Sequence, residues 1–364
     1  LSAFDVDCDN HVKNIRSTID LCDDGTLRLD QSYYKGTIVD QPNLYTSRLV
    51  ALLGGRVGRR ENELDDWSIS VAKAMQLVSE EIATHFLKHL HQRTGLSQVV
   101  LGGGFFMNSV YNGKVLDQTP FKQAYISYAP SDVGNSIGSA LYVAHCIHEV
   151  ERECSNNLSF IGPEFDHEEI IATLNRRKIA YRELASPEKT VAGLIASGDI
   201  VAHFYGRMEF GERALGNRSI LADPRDPEIK DRINSMIKYR ESYRPFAPAV
   251  LAKKAHEYFE VKPERSSRFM ESVVPVKAEH RASLPGITHV DGSGRLQTVE
   301  AEENGRFYRI IKEVEALTGV PVVLNTSFNI NGEPIVLSPD DALTTFFNSG
   351  LLYLVMDDVL VEKR

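Results

Sequence analysis

The 364-residue sequence has four cysteines, Cys8, Cys22, Cys146 and Cys154, too few for a disulfide scaffold and without the paired spacing of a metal site. They read as reduced thiols, and the chain is expected to be cytoplasmic. It has no uninterrupted apolar run near the roughly 20 residues that cross a bilayer, so no membrane association is expected. It has no excess of basic charge either: the formal net charge is -9. That balance argues against nonspecific nucleic-acid binding, which calls for a basic face. No GxxxxGK[ST] motif occurs, and "GGGFFMN" lacks the GxGxxG order, which argues against a P-loop kinase and a dinucleotide oxidoreductase. There is no initiating methionine, so a processed or truncated chain is expected. Apolar residues at 42% and charged residues at 25% are those of a globular protein with room for two cores.

Against this acidic background stands "GRMEFGERALGNRSILADPRD", 206–226, which sets Arg207, Arg213, Arg218 and Arg225 among Gly206, Gly211 and Gly216. Four guanidinium groups at this spacing cannot share one face of a helix or strand, but a glycine-rich loop turns several inward. Guanidinium binds phosphate bidentately and stays charged at any working pH, so a small anionic ligand is implied. "IKYRESYRPFAP" adds Lys238, Arg240 and Arg244. The competing interpretation is a salt-bridge network with Glu209, Glu212, Asp223 and Glu241.

Periodicity predicts an α/β chain. Residues 1–60 show short apolar alternations and a Gly/Arg-rich turn, with no evident helix at the start. From Ser68, Ile69, Ala72, Met75, Val78, Ile82 and Phe86 predict a helix stopped by Gly95. "SQVVLGGGFF" and "QAYISYA" predict strands that run into small-residue loops and helices, a pattern that presents backbone amides to phosphate. The polar stretch between Glu149 and Gly162 marks a boundary, giving domains 1–155 and 156–364. In the second, helices are expected in "HEEIIATLNRRK", "TVAGLIAS", "PEIKDRINSMI" and "SPDDALTTFFNSG". The last has Ser338 as N-cap, Pro339 at the first helical position and Asp341 completing a capping box. Strands are expected in "DIVAHFYG", "PVVLNTSF" and "LLYLVMDDVLVEK". "LNTSFNINGEP" puts Asn325, Ser327 and Asn329 at a strand end, where α/β sheets bind ligands. "THVDGSGRLQTV" sets His289, Asp291 and Arg295 around two glycines. Two histidine pairs, His85 with His89 and His145 with His148, have metal-ligand spacing but lie beside apolar stripes and read as packing residues.

"GRMEFGERALGNRSILADPR", "KYRESYRPFAP", "THVDGSGRLQTV" and "NTSFNINGEPIV" together resemble the C-terminal part of the ATP-dependent O-carbamoyltransferases of antibiotic and nodulation-factor biosynthesis. "LGGGFFMN" and "SDVGNSIGSAL" resemble the preceding domain. The resemblance implies a partial actin/hexokinase-like domain over 1–155, followed by an α/β domain similar to threonylcarbamoyl-AMP synthase. It implies carbamoyl phosphate, ATP with Mg2+, and a hydroxyl-bearing small-molecule acceptor. Arg213, Lys238, Arg244, Arg295 and Ser327 would be catalytic. Arg207, Arg218, Arg240, Asn325 and Asn329 would bind substrate phosphate. Gly103, Gly104 and Asn108 would lie on the first domain's nucleotide loop, with Asp132 as ligand to a divalent metal such as Fe2+ in the complete protein. A homodimer is one assembly open to it. Glu212 stands where the family usually has proline. The family's earlier part, with its metal histidines and candidate base, is absent, so adenylation is expected to survive better than transfer. Two other readings stay open: an adenylate-forming relative of the tRNA threonylcarbamoylation enzymes, and a non-catalytic nucleotide-binding subunit.

Overall fold

The computed structural model describes residues 1–35, 44–56, 64–153, 159–241, 243–262 and 265–363. Cys154, most of the Gly/Arg-rich turn after Leu53 and the middle of the polar stretch 149–162 lie outside these residues. Among the described residues Cys8, Cys22 and Cys146 are free thiols, and no helix is long and apolar enough to cross a membrane.

The chain forms two compact units, Leu1–Val100 with Lys114–Tyr125, and Leu101–Gly113 with Ile126–Arg364. Compactness therefore does not divide the chain at residue 155. The segment 101–113 groups with the second unit for a local reason: Asn112 donates to the Glu271 carbonyl at 2.9 Å, and Arg265 donates to the Gly113 carbonyl at 3.2 Å.

The first unit opens with a helix, α1 (Asp9–Arg16), where no helix is expected from the sequence, then the hairpin β1 (Ile19–Leu21) and β2 (Leu27–Leu29) and the short α2 (Ser47–Leu52). The long α3 (Asp66–Thr94) starts at Asp65, whose carboxylate accepts from the Ser68 N–H, and ends on left-handed Gly95. Its buried side is Ile69, Ala74, Val78, Ala83 and Leu87, so the predicted stripe is rotated: Met75 and Phe86 are on the surface. Next come β3 (Gln98–Leu101), α4 (Ser109–Gln118), β4 (Gln123–Ile126), which pairs with β3, and α5 (Gly134–Tyr142).

The second unit continues with α6 (His167–Arg176), β5 (Arg182–Glu183), α7 (Pro187–Ala196), β6 (Val201–Phe204), β7 (Arg218–Ala222), α8 (Ile229–Ile233) and β8 (Ala247–Leu251). Then follow α9 (Ala255–Tyr258), β9 (Ser272–Pro275), α10 (Ala278–Arg281), β10 (Ser293–Val299), α11 (Gly305–Thr318), β11 (Val322–Ser327), α12 (Pro339–Phe347), β12 (Tyr353–Met356) and β13 (Val359–Glu362). Nine strands form one mixed sheet in the order β5-β13-β12-β6-β7-β11-β8-β10-β9. The β12–β6 and β10–β8 pairs are parallel, and the other registered pairs are antiparallel. The expected α/β class holds. The chain's last apolar run, expected as one strand, is instead a hairpin, because Asp357 adopts a left-handed φ of 52° and reverses it. "SGRLQTV", for which no element is predicted from the sequence, is the strand β10. The α12 start matches its sequence signature, with Ser338 and Asp341 capping reciprocally.

Both sheet faces are covered, which makes three layers. One face packs Ile220, Val250, Leu324 and Leu354 against Ile170 of α6, Ile233 of α8 and Phe346 of α12. The other packs Val201, Leu221, Ala249, Val299 and Val323 against Val191 and Ile195 of α7 and against Phe307, Ile311 and Val314 of α11. The helix α11 has no counterpart among the predicted elements, although Asn304 caps it by accepting from the Phe307 N–H.

Candidate functional site

Side chains on a strand alternate between faces, so Val323, Asn325 and Ser327 of β11 share one face, as do Arg295, Gln297 and Val299 of β10. The apolar members, Val323 and Val299, sit in the α7/α11 layer. Past those helices the same face turns polar, with Gln297 and Asn325 buried and Arg295 and Ser327 partly buried. That change of character within single strands produces the site.

The loop between β6 and β7, 205–217, is folded over this polar end. Glu209, 3% exposed, accepts through Oε1 from the backbone N–H groups of Leu215 and Asn217 at 2.7 Å and of Arg218 at 3.2 Å. Gly211 and Gly216 have φ of 121° and 123°, a region that disfavours other residues, and a Cβ on Gly216 would collide with the Phe307 ring. Gln297 Nε2 donates to the Leu215 carbonyl at 2.9 Å and Asn325 Nδ2 to the Ala214 carbonyl at 3.2 Å. The loop's shape is thus set by buried polar contacts that flank Arg213. Glu209→Ala strands three buried N–H groups and is expected to cost about 2–4 kcal/mol, while Glu209→Gln, which keeps one acceptor oxygen, recovers at least about half of that loss. Denaturant midpoints check this; an alanine variant as stable as wild type would mean that the carboxylate does not hold the loop.

Lys238 reaches the same end from below. It closes a wide helical turn after α8, is 4% exposed, and is followed by left-handed Tyr239. Its Nζ donates to Ser327 O at 2.5 Å, Asn329 O at 3.0 Å and Asn329 Oδ1 at 2.7 Å, and lies 3.2 Å from Ser327 Oγ. Ser327 Oγ in turn donates to Asn329 Oδ1 at 2.7 Å. Burial, helped by Arg240, pushes Lys238 down to about 7.

The arginines feel one another. Burial first, then Arg213 and Arg240, pushes Arg295 down to about 9. Burial and then Arg244 lowers Arg240 to about 10, against an opposing pull from Glu241. Burial lowers Arg213, with Glu212 opposing. Arg244 is exposed and pairs with Glu241 at 3.4 Å. No ion pair to Arg213, Arg240 or Arg295 is formed among the described residues, and the Arg295 Nε is buried without a hydrogen-bond partner. Two guanidinium groups that work against the charge of a third, with no ion pair to any of them among the described residues, form a place where a polyanion lowers the energy.

Three of the predicted arginines are engaged elsewhere. Arg218 is fully buried and turned away: its guanidinium donates to the carbonyls of Tyr205 at 2.8 Å and Gly206 at 3.1 Å, and lies 3.6 Å over the Phe204 ring. Arg225 is held by Asp223 at 2.6 Å. Arg207 lines a separate cavity of about 400 Å³ with Tyr205, Arg306 and Arg309, and pairs with Glu164 at 3.5 Å. Glu212 accepts from the Ser131 hydroxyl, so the anion at the proline position is engaged away from the backbone amides. Gly103 has a φ of 104°, and Gly102, Gly103 and Gly104 have open space where a Cβ would stand. Asn108 caps α4 by accepting from the Tyr111 N–H at 3.3 Å. Asp132 is exposed, and among the described residues no three His, Cys, Asp or Glu side chains are grouped to hold a metal. His145 is engaged by the Val150 carbonyl. His289 is pushed down to about 4, chiefly by burial.

Gln297 and Glu209 are the positions shaping this sheet end that motif reasoning missed. A lone glutamine on a strand carries no signal, and Glu209 reads as an arginine partner until its three backbone donors are seen.

Comparison with known proteins gives matches over both parts of the chain. A family described as carbamoyltransferase C-terminus matches residues 192–363, and one described as carbamoyltransferase N-terminus matches 17–141. An uncharacterized protein of Synechocystis is 37% identical over 95% of this chain and 60% of its own length. The nodulation protein NolNO of Sinorhizobium fredii is 40% identical over 81% of this chain and 44% of its own. Nodulation protein U of the same species is 32% identical over 71% and 44% respectively. The chain spans about half the length of the curated relatives it matches. Full-length HypF, solved in a phosphate- and nucleotide-bound form, aligns over 51% of this chain and 22% of its own at 18% identity, with a TM-score of 0.33, too low to carry an argument.

Proposed function

Because the chain belongs to the carbamoyltransferase family, we propose that it takes part in ATP-dependent O-carbamoylation and that the polar sheet end binds carbamoyl phosphate and ATP. The observation that carries this reading is the set Arg213, Arg240 and Arg295, of which Arg295 is pushed down by burial and by the other two and none forms an ion pair among the described residues, beside Lys238 and Ser327. Two polyanions meet in such a reaction, and fixed cations offset their repulsion. Carbamoyl phosphate gives up its phosphoryl group to water, leaving carbamate and inorganic phosphate. A carbamate oxygen then attacks the α-phosphorus of ATP, the Pα–O–Pβ bond breaks, and pyrophosphate leaves, giving carbamoyl-AMP. In transfer, an acceptor hydroxyl attacks the carbamoyl carbon, its proton passes to a base, and AMP departs.

Within this scheme the arginines clamp phosphates, Lys238 neutralises charge that grows on the leaving pyrophosphate, and Ser327 hydrogen-bonds the carbamoyl phosphate. Mg2+ arrives with ATP as its counter-ion. The open glycines at 102–104 suit backbone contact with an adenylate in the transfer step. A resident metal is given no step, because Asp132 stands without co-ligands among the described residues.

The test is carbamoyl-phosphate-dependent pyrophosphate release from ATP. The chain is expected to release it, and Asp132→Ala to retain the rate within about threefold, as expected of an exposed residue outside the clamp. Release that does not depend on carbamoyl phosphate would sink the assignment. An Asp132→Ala loss as deep as that of a clamp arginine would show that the carboxylate belongs to adenylation.

A further inference from the structure

We infer that Gln297 fixes the side-chain amide of Asn325 so that its free oxygen accepts an N–H from the carbamoyl NH2 group, the contact that separates a carbamoyl from an acetyl substrate. This rests on the reading of the sheet end as the carbamoyl phosphate site.

The orientation of both amides follows from donors and acceptors alone. The Leu215 carbonyl can only accept, so the Gln297 nitrogen must face it, at 2.9 Å. That turns Gln297 Oε1 toward Asn325, whose Nδ2 donates to it at 2.8 Å and to the Ala214 carbonyl at 3.2 Å. Two backbone carbonyls of the arginine loop therefore settle both flips, and Asn325 Oδ1 is left as the unused atom. Asn325 is 1% exposed, and its Oδ1 is buried with no hydrogen-bond partner.

An acceptor left bare in a buried site is costly unless something fills it. The neighbouring cations cannot explain it away: Asn325 is bonded to the carbonyl next after Arg213 in the chain, and Gln297 lies two residues from Arg295 on the same strand face, yet neither guanidinium bonds Oδ1. The ligand that matches this end carries anionic oxygens for the arginines and an N–H donor for the asparagine. An acyl phosphate with an NH2 on its carbonyl carbon has both. Acetyl phosphate has nearly the same shape and charge but offers a methyl group, which would leave Oδ1 unpaired. A site built around a polar contact rejects an isostere that lacks it far more strongly than an apolar pocket can. Asn325 is thus the substrate contact, and Gln297 a positioning residue that acts through it.

Two stable phosphonates isolate the contact. Phosphonoacetamide carries the NH2 and acetonylphosphonate carries CH3 in its place. Calorimetric binding of each to the chain is expected to favour phosphonoacetamide roughly 10- to 100-fold. Asn325→Leu and Gln297→Met should each collapse that preference to within about threefold, and inorganic phosphate should weaken by about the same factor as acetonylphosphonate in each variant, since both side chains also hold the arginine loop. A purely structural role for Gln297 would weaken all three ligands alike and leave the preference between the two phosphonates intact. Wild-type chain binding both phosphonates alike, with phosphate still bound, overturns the inference and leaves the site reading standing. Binding of neither phosphonate nor phosphate overturns both. A preference that survives both substitutions also overturns the inference.

Discussion

Lys238→Met is expected to lower carbamoyl-phosphate-dependent pyrophosphate release by about 10²- to 10³-fold, the scale seen when a positioned charge-stabilising group is lost. Lys238 has four oxygens of Ser327 and Asn329 around its Nζ and no carboxylate. Those oxygens favour the ammonium, while burial and Arg240 push it down to about 7. In the free protein the group is therefore poised near neutrality, and an arriving phosphate tips it to the charged form. Binding of inorganic phosphate should take up a proton between about pH 7 and 9, read from calorimetry in buffers of different ionisation enthalpy. The Lys238→Met variant should lose that uptake. Stability follows the same linkage. An unfolded lysine holds its proton up to about pH 10.4, whereas Lys238 releases it near 7. Over that window the unfolded chain binds more protons, so stability rises with pH and is lowest below 7. Undiminished proton uptake in the variant would assign the titration to another group.

Much of the architecture could be read because it rests on local chemistry. Ser338, Pro339 and Asp341 state where α12 begins, Gly95 states where α3 stops, and the apolar run Val322–Leu324 states that β11 is buried. The end hairpin could not be read, since its reversal depends on Asp357 adopting a conformation that most residues avoid. At the site, the motifs named the right segments but not the direction of each side chain. Arg213 and Arg218 are five residues apart in one glycine-rich motif. One is near enough to Arg295 to work against its charge, and the other is spent on the carbonyls of its own loop. What separates them is Glu209, whose carboxylate gathers three N–H groups and so decides which way the loop turns. Contacts that join residues 214 and 215 to 297 and 325 cannot be inferred from spacing, because nothing in a lone Gln or Asn announces its partner.

Arg295→Leu is expected to make the free chain more stable while cutting pyrophosphate release by about 10²-fold or more, the opposite signs of a residue kept for its ligand. Arg295 lies on β10 among buried neighbours, its Nε has no acceptor, and Arg213 and Arg240 both work against its charge. With no anion present those features cost energy, since a buried charge without a partner is neither solvated nor paired. Leucine keeps much of the packing and removes both the stranded N–H and the repulsion. A gain of about 1 kcal/mol in unfolding free energy is the expected scale for relieving one such group. Inorganic phosphate should reverse the ranking. It binds the folded state alone and stabilises wild type in proportion to its concentration, whereas the leucine variant, with one clamp arginine gone, gains less. Thermal midpoints of the two proteins, followed from zero to saturating phosphate, should therefore cross. Parallel curves would mean that Arg295 makes no contact with the anion. A leucine variant that is less stable without phosphate would mean that the guanidinium holds the sheet end together rather than waiting for a substrate.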